Sequence, residues 1–129
     1  MDTIDLRSVP LLEGLTDDEL ADAATHFNEV HVRSGDDIVH ADEHAATFFI
    51  VLDGAVTVKV DDEAVAELGP GDHFGEVALV TGERRNATCK ALGTSRLAKM
   101  MAWDFNELLE KNPVLAGRIQ SAADSRSND

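Results

Sequence analysis

The period of the apolar positions changes twice along the chain, and each change marks a change of structure. Before residue 28, Leu15, Leu20, Ala23, Ala24 and Phe27 recur at helical spacing, so residues 9–27 read as a leading helical segment. Thr16 followed by Glu19 fits a capping box, and Asp17 and Asp18 place negative charge in the first turn, where the helix dipole favours it. From Glu29 the period drops to two. Val30, Val32 and then Ile38 alternate with polar residues around the turn Ser34-Gly35-Asp36. Residues 47–52 form an apolar run that ends in Asp53-Gly54, a strong hairpin signal. Val56, Val58 and Val60 alternate with Thr57 and Lys59, and Asp61-Asp62 turns the chain into a strand at 64–68. After the turn Gly69-Pro70-Gly71-Asp72, two more strand-like runs follow at 87–92 and 96–101, split by Gly93-Thr94. The helical period then returns. Asp104 is the expected N-cap, with Glu107 three residues on, and Phe105, Leu108 and Leu109 form one face. Asn112-Pro113 stops that helix and starts another, whose thin stripe is Leu115 and Ile119. Trp103 and Phe105 are expected to anchor the first of these helices to the sheet. Residues 122–129 are polar and predict a frayed tail.

Many short strands with closely spaced turns suggest an antiparallel sandwich or jelly roll. With helices at both ends, the prediction is one mainly β, α+β domain over residues 1–129. A chain of 129 residues is long enough to bury about two thirds of its unfolded surface. Charge narrows the partners. Eleven basic against twenty-five acidic residues give a net charge of −14, which argues against nucleic acid or an anionic membrane, since both need a clustered basic face. The apolar run at 48–52 is far too short to span a bilayer, and the acidic N-terminus lacks the layout of a signal peptide. Cys89 is the only cysteine, so an internal disulfide and a CxxC site are both excluded. These features predict a soluble cytoplasmic protein.

One stretch breaks the strand pattern: Phe74-Gly75-Glu76-Val77-Ala78-Leu79-Val80-Thr81-Gly82-Glu83-Arg84-Arg85-Asn86-Ala87-Thr88. Residues 76–81 have the length of one or two helical turns. Gly75 precedes them, where a missing side chain permits close backbone approach to a ligand. Free N–H groups at a helix start can receive an anion. Arg85 returns on the following strand with a planar guanidinium that can grip two phosphate oxygens. Glu76, acceptor-only when ionised, suits a sugar hydroxyl instead. Donors for phosphate beside an acceptor for hydroxyl describe a ribose phosphate pocket.

That run resembles the phosphate-binding cassette of cyclic nucleotide-binding domains, the module shared by catabolite-activator-type regulators, protein kinase A regulatory subunits and gated channels. Phe74, Gly75, Glu76, Ala78, Leu79, Arg85, Ala87 and Thr88 match the cassette pattern at the family spacing. The resemblance extends over about residues 9–120, through VPLLEGLTDDEL, FFIVLDGAVTV, LGPGDHFGE and DFNELL. It implies an eight-stranded antiparallel jelly-roll β-barrel with an N-terminal helix and C-terminal helices. It implies that Arg85 pairs with the cyclic phosphate and that Glu76 accepts from the ribose 2′-hydroxyl. Gly75, Ala78 and Asn86 are implied as backbone contacts near ribose and phosphate. Arg84 stands where many members carry proline and is expected at the mouth as a second cation. Asn86 stands where eukaryotic members carry Ala with cAMP and Thr or Ser with cGMP. The implied ligand is cAMP, with cGMP as the alternative, and no cofactor or metal is expected. Leu115, Arg118 and Ile119 are the candidates to cover the base.

The implied function is a non-enzymatic stand-alone sensor that binds cyclic nucleotide and shifts its helices at 103–121, changing a surface read by an effector protein in trans. A homodimer is left open. Two alternatives stand beside this reading. The first is a protein-interaction module on the same fold that binds no nucleotide. The second is a metal-dependent cupin-type enzyme. Its motif spacing is not met: His40 and His44 are four apart, not two, and Thr47 stands where the motif needs Glu. The five histidines therefore read as surface or turn residues.

Overall fold

The apolar run at 47–52 has no polar alternation because both of its faces are covered. In the computed structural model, which describes residues 1–127, this run is β3 (Thr47–Asp53) at the centre of the molecule. Phe48 and Ile50 point to a helical layer, while Phe49 and Val51 point to a second sheet. A strand buried on both sides reads as continuous hydrophobicity.

The other strands are β1 (Asn28–Val32), β2 (Asp37–Val39), β4 (Val56–Val60), β5 (Glu63–Leu68), β6 (His73–Phe74), β7 (Thr88–Ala91) and β8 (Ser95–Met101). They form two four-stranded sheets, ordered β1-β8-β3-β6 and β2-β7-β4-β5, and every pairing is antiparallel. The eight-stranded antiparallel jelly roll with flanking helices expected from the sequence is therefore the observed architecture. Between the sheets lie Val39, Phe49, Val51, Val56, Leu68, Phe74, Cys89 and Leu97. The Phe49 and Phe74 rings stack there with centroids 5.0 Å apart.

Among the described residues, six helical segments flank the sheets: α1 (Thr3–Arg7), a 3-10 turn (Pro10–Leu12), α2 (Asp17–His26), α3 (Glu76–Thr81), α4 (Ala102–Lys111) and α5 (Pro113–Ser127). The capping box is present: Glu19 N–H donates to Thr16 Oγ1 at 3.1 Å, and Thr16 N–H donates to Glu19 Oε1 at 2.9 Å. α1 was not signalled by periodicity, being a single turn started by the Asp2 side chain accepting from Ile4 N–H. The helices and the outer face of the first sheet enclose a second core that includes Leu6, Leu20, Phe27, Met100, Phe105 and Leu115.

The C-terminal helices depart from expectation in three ways. α4 begins at Ala102, with Met101 as a cap lacking a side-chain bond, so Asp104 is not its N-cap. Phe105 packs on Phe48 at 4.8 Å between ring centroids, but Trp103 is 81 % exposed and anchors nothing. The reason is geometric: residues two apart on a helix point about 200° apart, so 103 and 105 cannot share a face. Finally, α5 does not fray at 122. It runs to Ser127, with Ala123 buried against the core; positions 128 and 129 of the predicted tail lie outside the described residues. No helix of the described residues is long and apolar enough to cross a membrane.

Candidate functional site

The cassette sits where the chain leaves one sheet and returns to the other. β6 delivers Phe74 into the core, and Gly75 then takes a left-handed conformation, φ 100°, that starts α3. The need for glycine is also steric. A Cβ there would lie 2.9 Å from the Thr47 carbonyl oxygen and 3.3 Å from Arg85 Nη1. Gly75 thus lets the cassette backbone press against the start of β3 and against the arginine.

Arg85 lies in the loop ahead of β7, not on a strand as predicted. Two main-chain bonds fix that loop. Arg85 N–H donates to Glu43 O at 2.8 Å, and Asp42 N–H donates to Arg85 O at 2.8 Å. The side chain turns inward and is 7 % exposed. Its Nη2 donates to Thr47 O at 2.8 Å and to Thr47 Oγ1 at 3.3 Å, and its Nη1 donates to Gly75 O at 3.5 Å. Burial opposes the charge and lowers the pKa of Arg85, partly offset by negative charge at Glu43 and Glu76.

Glu76, first residue of α3, is fully buried. Its Oε1 accepts from Arg126 Nη1, and its Oε2 lies 3.3 Å from His73 Nδ1 in a geometry that makes no hydrogen bond. Burial pushes this carboxyl up, but the proximity of His73 and Arg126 outweighs it and holds the pKa below the ordinary carboxylate range. A carboxylate with a lowered folded-state pKa adds stability that is in place above its unfolded value and is lost as pH falls through the folded one. The stability difference between wild type and Glu76→Gln is accordingly expected to be flat above about pH 5 and to shrink in stronger acid. Thermal melts of both proteins across that range check it, and a difference that grows on acidification would contradict it.

These groups share one cavity of about 460 Å³, a size suited to a small organic ligand. Its lining combines Gly75, Glu76, Arg85 and Asn86 from the cassette with the apolar side chains of Val39, Val58, Val65 and Leu68 from β2, β4 and β5. All five residues predicted for the site, Gly75, Glu76, Ala78, Arg85 and Asn86, line it. Cys89 lines it too, 5 % exposed, and burial pushes its thiol up to about 12. At pH 8 a disulfide reagent should therefore modify the native protein far more slowly than the urea-unfolded chain, because the thiolate is the reactive form. Equal rates in the two states would contradict this placement.

Other expectations for the site are corrected. Arg84 is exposed, donates to Asp42 O at 2.9 Å and is not among the residues that line the cavity. Leu115 and Ile119 are buried in the helical core, and Arg118 donates to Leu11 O at 3.0 Å and to Glu13 O, so none of the three covers the cavity. His73 is not a surface residue. Its side chain is 14 % exposed and its ring lies 5.6 Å from that of Phe48. The residue that sequence reasoning missed is Arg126, which reaches the cavity from the last turn of α5. Its only signal was a lone cation in a segment expected to fray.

A family model described as the cyclic nucleotide-binding domain matches residues 29–112. Among curated proteins, the chain is 32% identical over 118 residues to an uncharacterized NTE family protein of Mycobacterium tuberculosis, covering 91% of this chain and 20% of that protein. It is 34% identical over 118 residues to a cyclic nucleotide-gated potassium channel of Rhizobium etli, covering 92% of this chain and 33% of that one. The chain thus spans about a fifth to a third of the length of these relatives. Among solved structures, the regulatory domain of Toxoplasma gondii PKA, crystallised with cAMP, superposes with a TM-score of 0.83 at 28% identity, over 95% of this chain and 48% of that one.

Proposed function

This chain belongs to the cyclic nucleotide-binding domain family, and from that premise we propose that its cavity binds a purine 3′,5′-cyclic monophosphate, cAMP first and cGMP as the alternative. In this reading the protein is a regulatory module that carries out no chemistry itself and signals through α4 and α5 to an effector protein. One observation carries the proposal: Arg85 and Glu76, held by different segments, line one cavity together with the apolar side chains of Val39, Val58, Val65 and Leu68. A cyclic nucleotide has the matching three parts. Its phosphate meets Arg85, its ribose 2′-hydroxyl donates to Glu76, and its base lies on the valines. Arg85 donates two nitrogens to main-chain oxygens here, and a guanidinium has five N–H donors, so others remain for phosphate oxygens.

Could a chain of net charge −14 accept an anion? Repulsion from distant carboxylates is screened beyond about 8 Å at physiological salt. Each charge-assisted bond to the phosphate contributes about 1.5–3 kcal/mol. The local interaction outweighs the distant ones, with some loss of association rate. Titration calorimetry with cAMP and with cGMP tests the reading. Saturable heat with at least one of them is expected, and the absence of heat from both at high micromolar ligand would end it.

A second reading is a module on this fold that recognises protein without nucleotide. The observation that favours it is the closed polar lining, with Arg85 spent partly on carbonyl oxygens and Glu76 covered by Arg126. The same two titrations separate the readings.

A further inference from the structure

Two buried polar atoms face each other beside the cavity without a hydrogen bond between them. His73 Nδ1 and Glu76 Oε2 lie 3.3 Å apart, and among the described residues neither atom has a hydrogen-bond partner. Orphaned buried polar atoms are rare because each costs free energy, so an adjacent pair calls for a reason. The backbone puts them there. His73 pairs with Ile50 across β6 and β3, so its side chain leaves the sheet on the side of Ile50 and Phe48, opposite to that of Phe74. The left-handed turn at Gly75 then returns Glu76 to the same side. Glu76 lines the cavity, and His73 does not. His73 therefore reaches a ligand only through the carboxylate.

We propose that His73 is a positioning residue for Glu76: with ligand bound, its Nδ1–H donates to Oε2 and fixes the carboxylate as the acceptor of the ribose 2′-hydroxyl. This deepens the cyclic nucleotide reading of the cavity and rests on it. At 3.3 Å the bond needs a change of angle rather than a large movement. A ligand that fills the cavity excludes water from it. The lower local dielectric then makes the unpaired atoms costlier and the bond between them stronger. The carboxylate has room for every donor, because an ionised carboxylate offers about four lone-pair sites. Arg126 takes one on Oε1 and His73 takes one on Oε2, which leaves sites for the hydroxyl. Without the histidine, Oε2 loses its donor and the carboxylate can turn about its Oε1 contact to Arg126.

The test compares each cyclic nucleotide with its 2′-deoxy form, which lacks the hydroxyl that Glu76 accepts from. Calorimetry is run with cAMP, cGMP and both 2′-deoxy analogues on wild type, His73→Phe and His73→Asn. Phenylalanine keeps a ring beside Phe48 and removes the donor, whereas asparagine places an amide N–H near the position of Nδ1. Circular dichroism checks both folds. Wild type should bind the parent nucleotide about tenfold more tightly than the deoxy form, or better. His73→Phe should bind the parent about tenfold more weakly than wild type does, with the deoxy form within about twofold, so the preference collapses. His73→Asn should keep the preference to within about threefold of wild type. Equal losses for parent and deoxy ligand in His73→Phe would mark a packing role and overturn the proposal. Wild-type affinity in His73→Phe, or an asparagine variant no better than the phenylalanine one, overturns it too. A further readout needs no folded phenylalanine variant. Nitrogen NMR of the imidazole in the wild-type complex, with the His73 signal identified by its loss in His73→Asn, should show Nδ1 carrying a proton; a bare Nδ1 overturns the proposal. Wild type that binds parent and deoxy forms equally removes Glu76 from the ribose, and the role of His73 with it. No heat from any nucleotide overturns the cyclic nucleotide reading and this proposal together. Those two failures show in the wild-type titrations, whereas failure of the His73 assignment alone shows in the variants and the ring proton, so they are distinguishable.

Discussion

Replacing Arg85 by alanine should weaken cyclic nucleotide binding by a hundredfold or more. Two charge-assisted bonds to phosphate are lost, at about 1.5–3 kcal/mol each, and each 1.4 kcal/mol is about a factor of ten. Distant acidic residues would then act on an anion with no buried cation facing it. The substitution also strips donors from Thr47 O and Gly75 O, so a stability loss of about 1–3 kcal/mol should accompany it. Calorimetry and thermal unfolding separate these effects. Arg85→Lys keeps the charge but not the planar fork, and should fall between alanine and wild type in affinity. Affinity unchanged in Arg85→Ala would remove Arg85 from the site.

The second large effect is expected at Gly54, which does not line the cavity. It lies in the β3–β4 hairpin at φ 93°, and a Cβ there would fall 2.2 Å from Ser95 Oγ, 2.7 Å from Ser95 Cβ and 2.8 Å from Ser95 Cα. Rotating the Ser95 side chain relieves the first contact but not the backbone one. Ser95 is also committed, since its Oγ accepts from Ala55 N–H at 3.2 Å and donates to Gly93 O at 2.8 Å. Left-handed strain and overpacking each cost about 1–3 kcal/mol, so Gly54→Ala should lose about 4 kcal/mol. Urea unfolding measures this directly. A loss below about 1 kcal/mol would show that the hairpin can shift off β8 without penalty.

The fold was legible where local chemistry and tertiary position agree. The apolar run at 47–52, the Asp53-Gly54 turn, and the Thr16–Glu19 box each report a constraint acting within a few residues, and each is present. Asp61 and Asp62 both adopt positive φ, 52° and 66°, as a tight turn between β4 and β5 requires. Gly75, Glu76, Ala78, Arg85 and Asn86 reach one cavity lining because only the short α3 separates the two segments that carry them. What was not legible depends on long-range packing. Trp103 and Phe105 look equivalent in the sequence, and only the start of α4 decides which one is buried. Leu115 and Ile119 form a stripe that could face either the cavity or α2, and the sequence does not choose. His73 looks like a turn residue but is enclosed by its neighbours Phe48 and Glu76. Arg126 was the hardest, because its role comes from a partner fifty positions away.

The most direct test of the whole account is a crystal structure of the protein grown with millimolar cAMP or cGMP. The account predicts a cyclic phosphate within hydrogen-bond distance of the Arg85 guanidinium and a ribose hydroxyl donating to Glu76. A cavity containing only solvent, or a nucleotide bound on another surface, would contradict it.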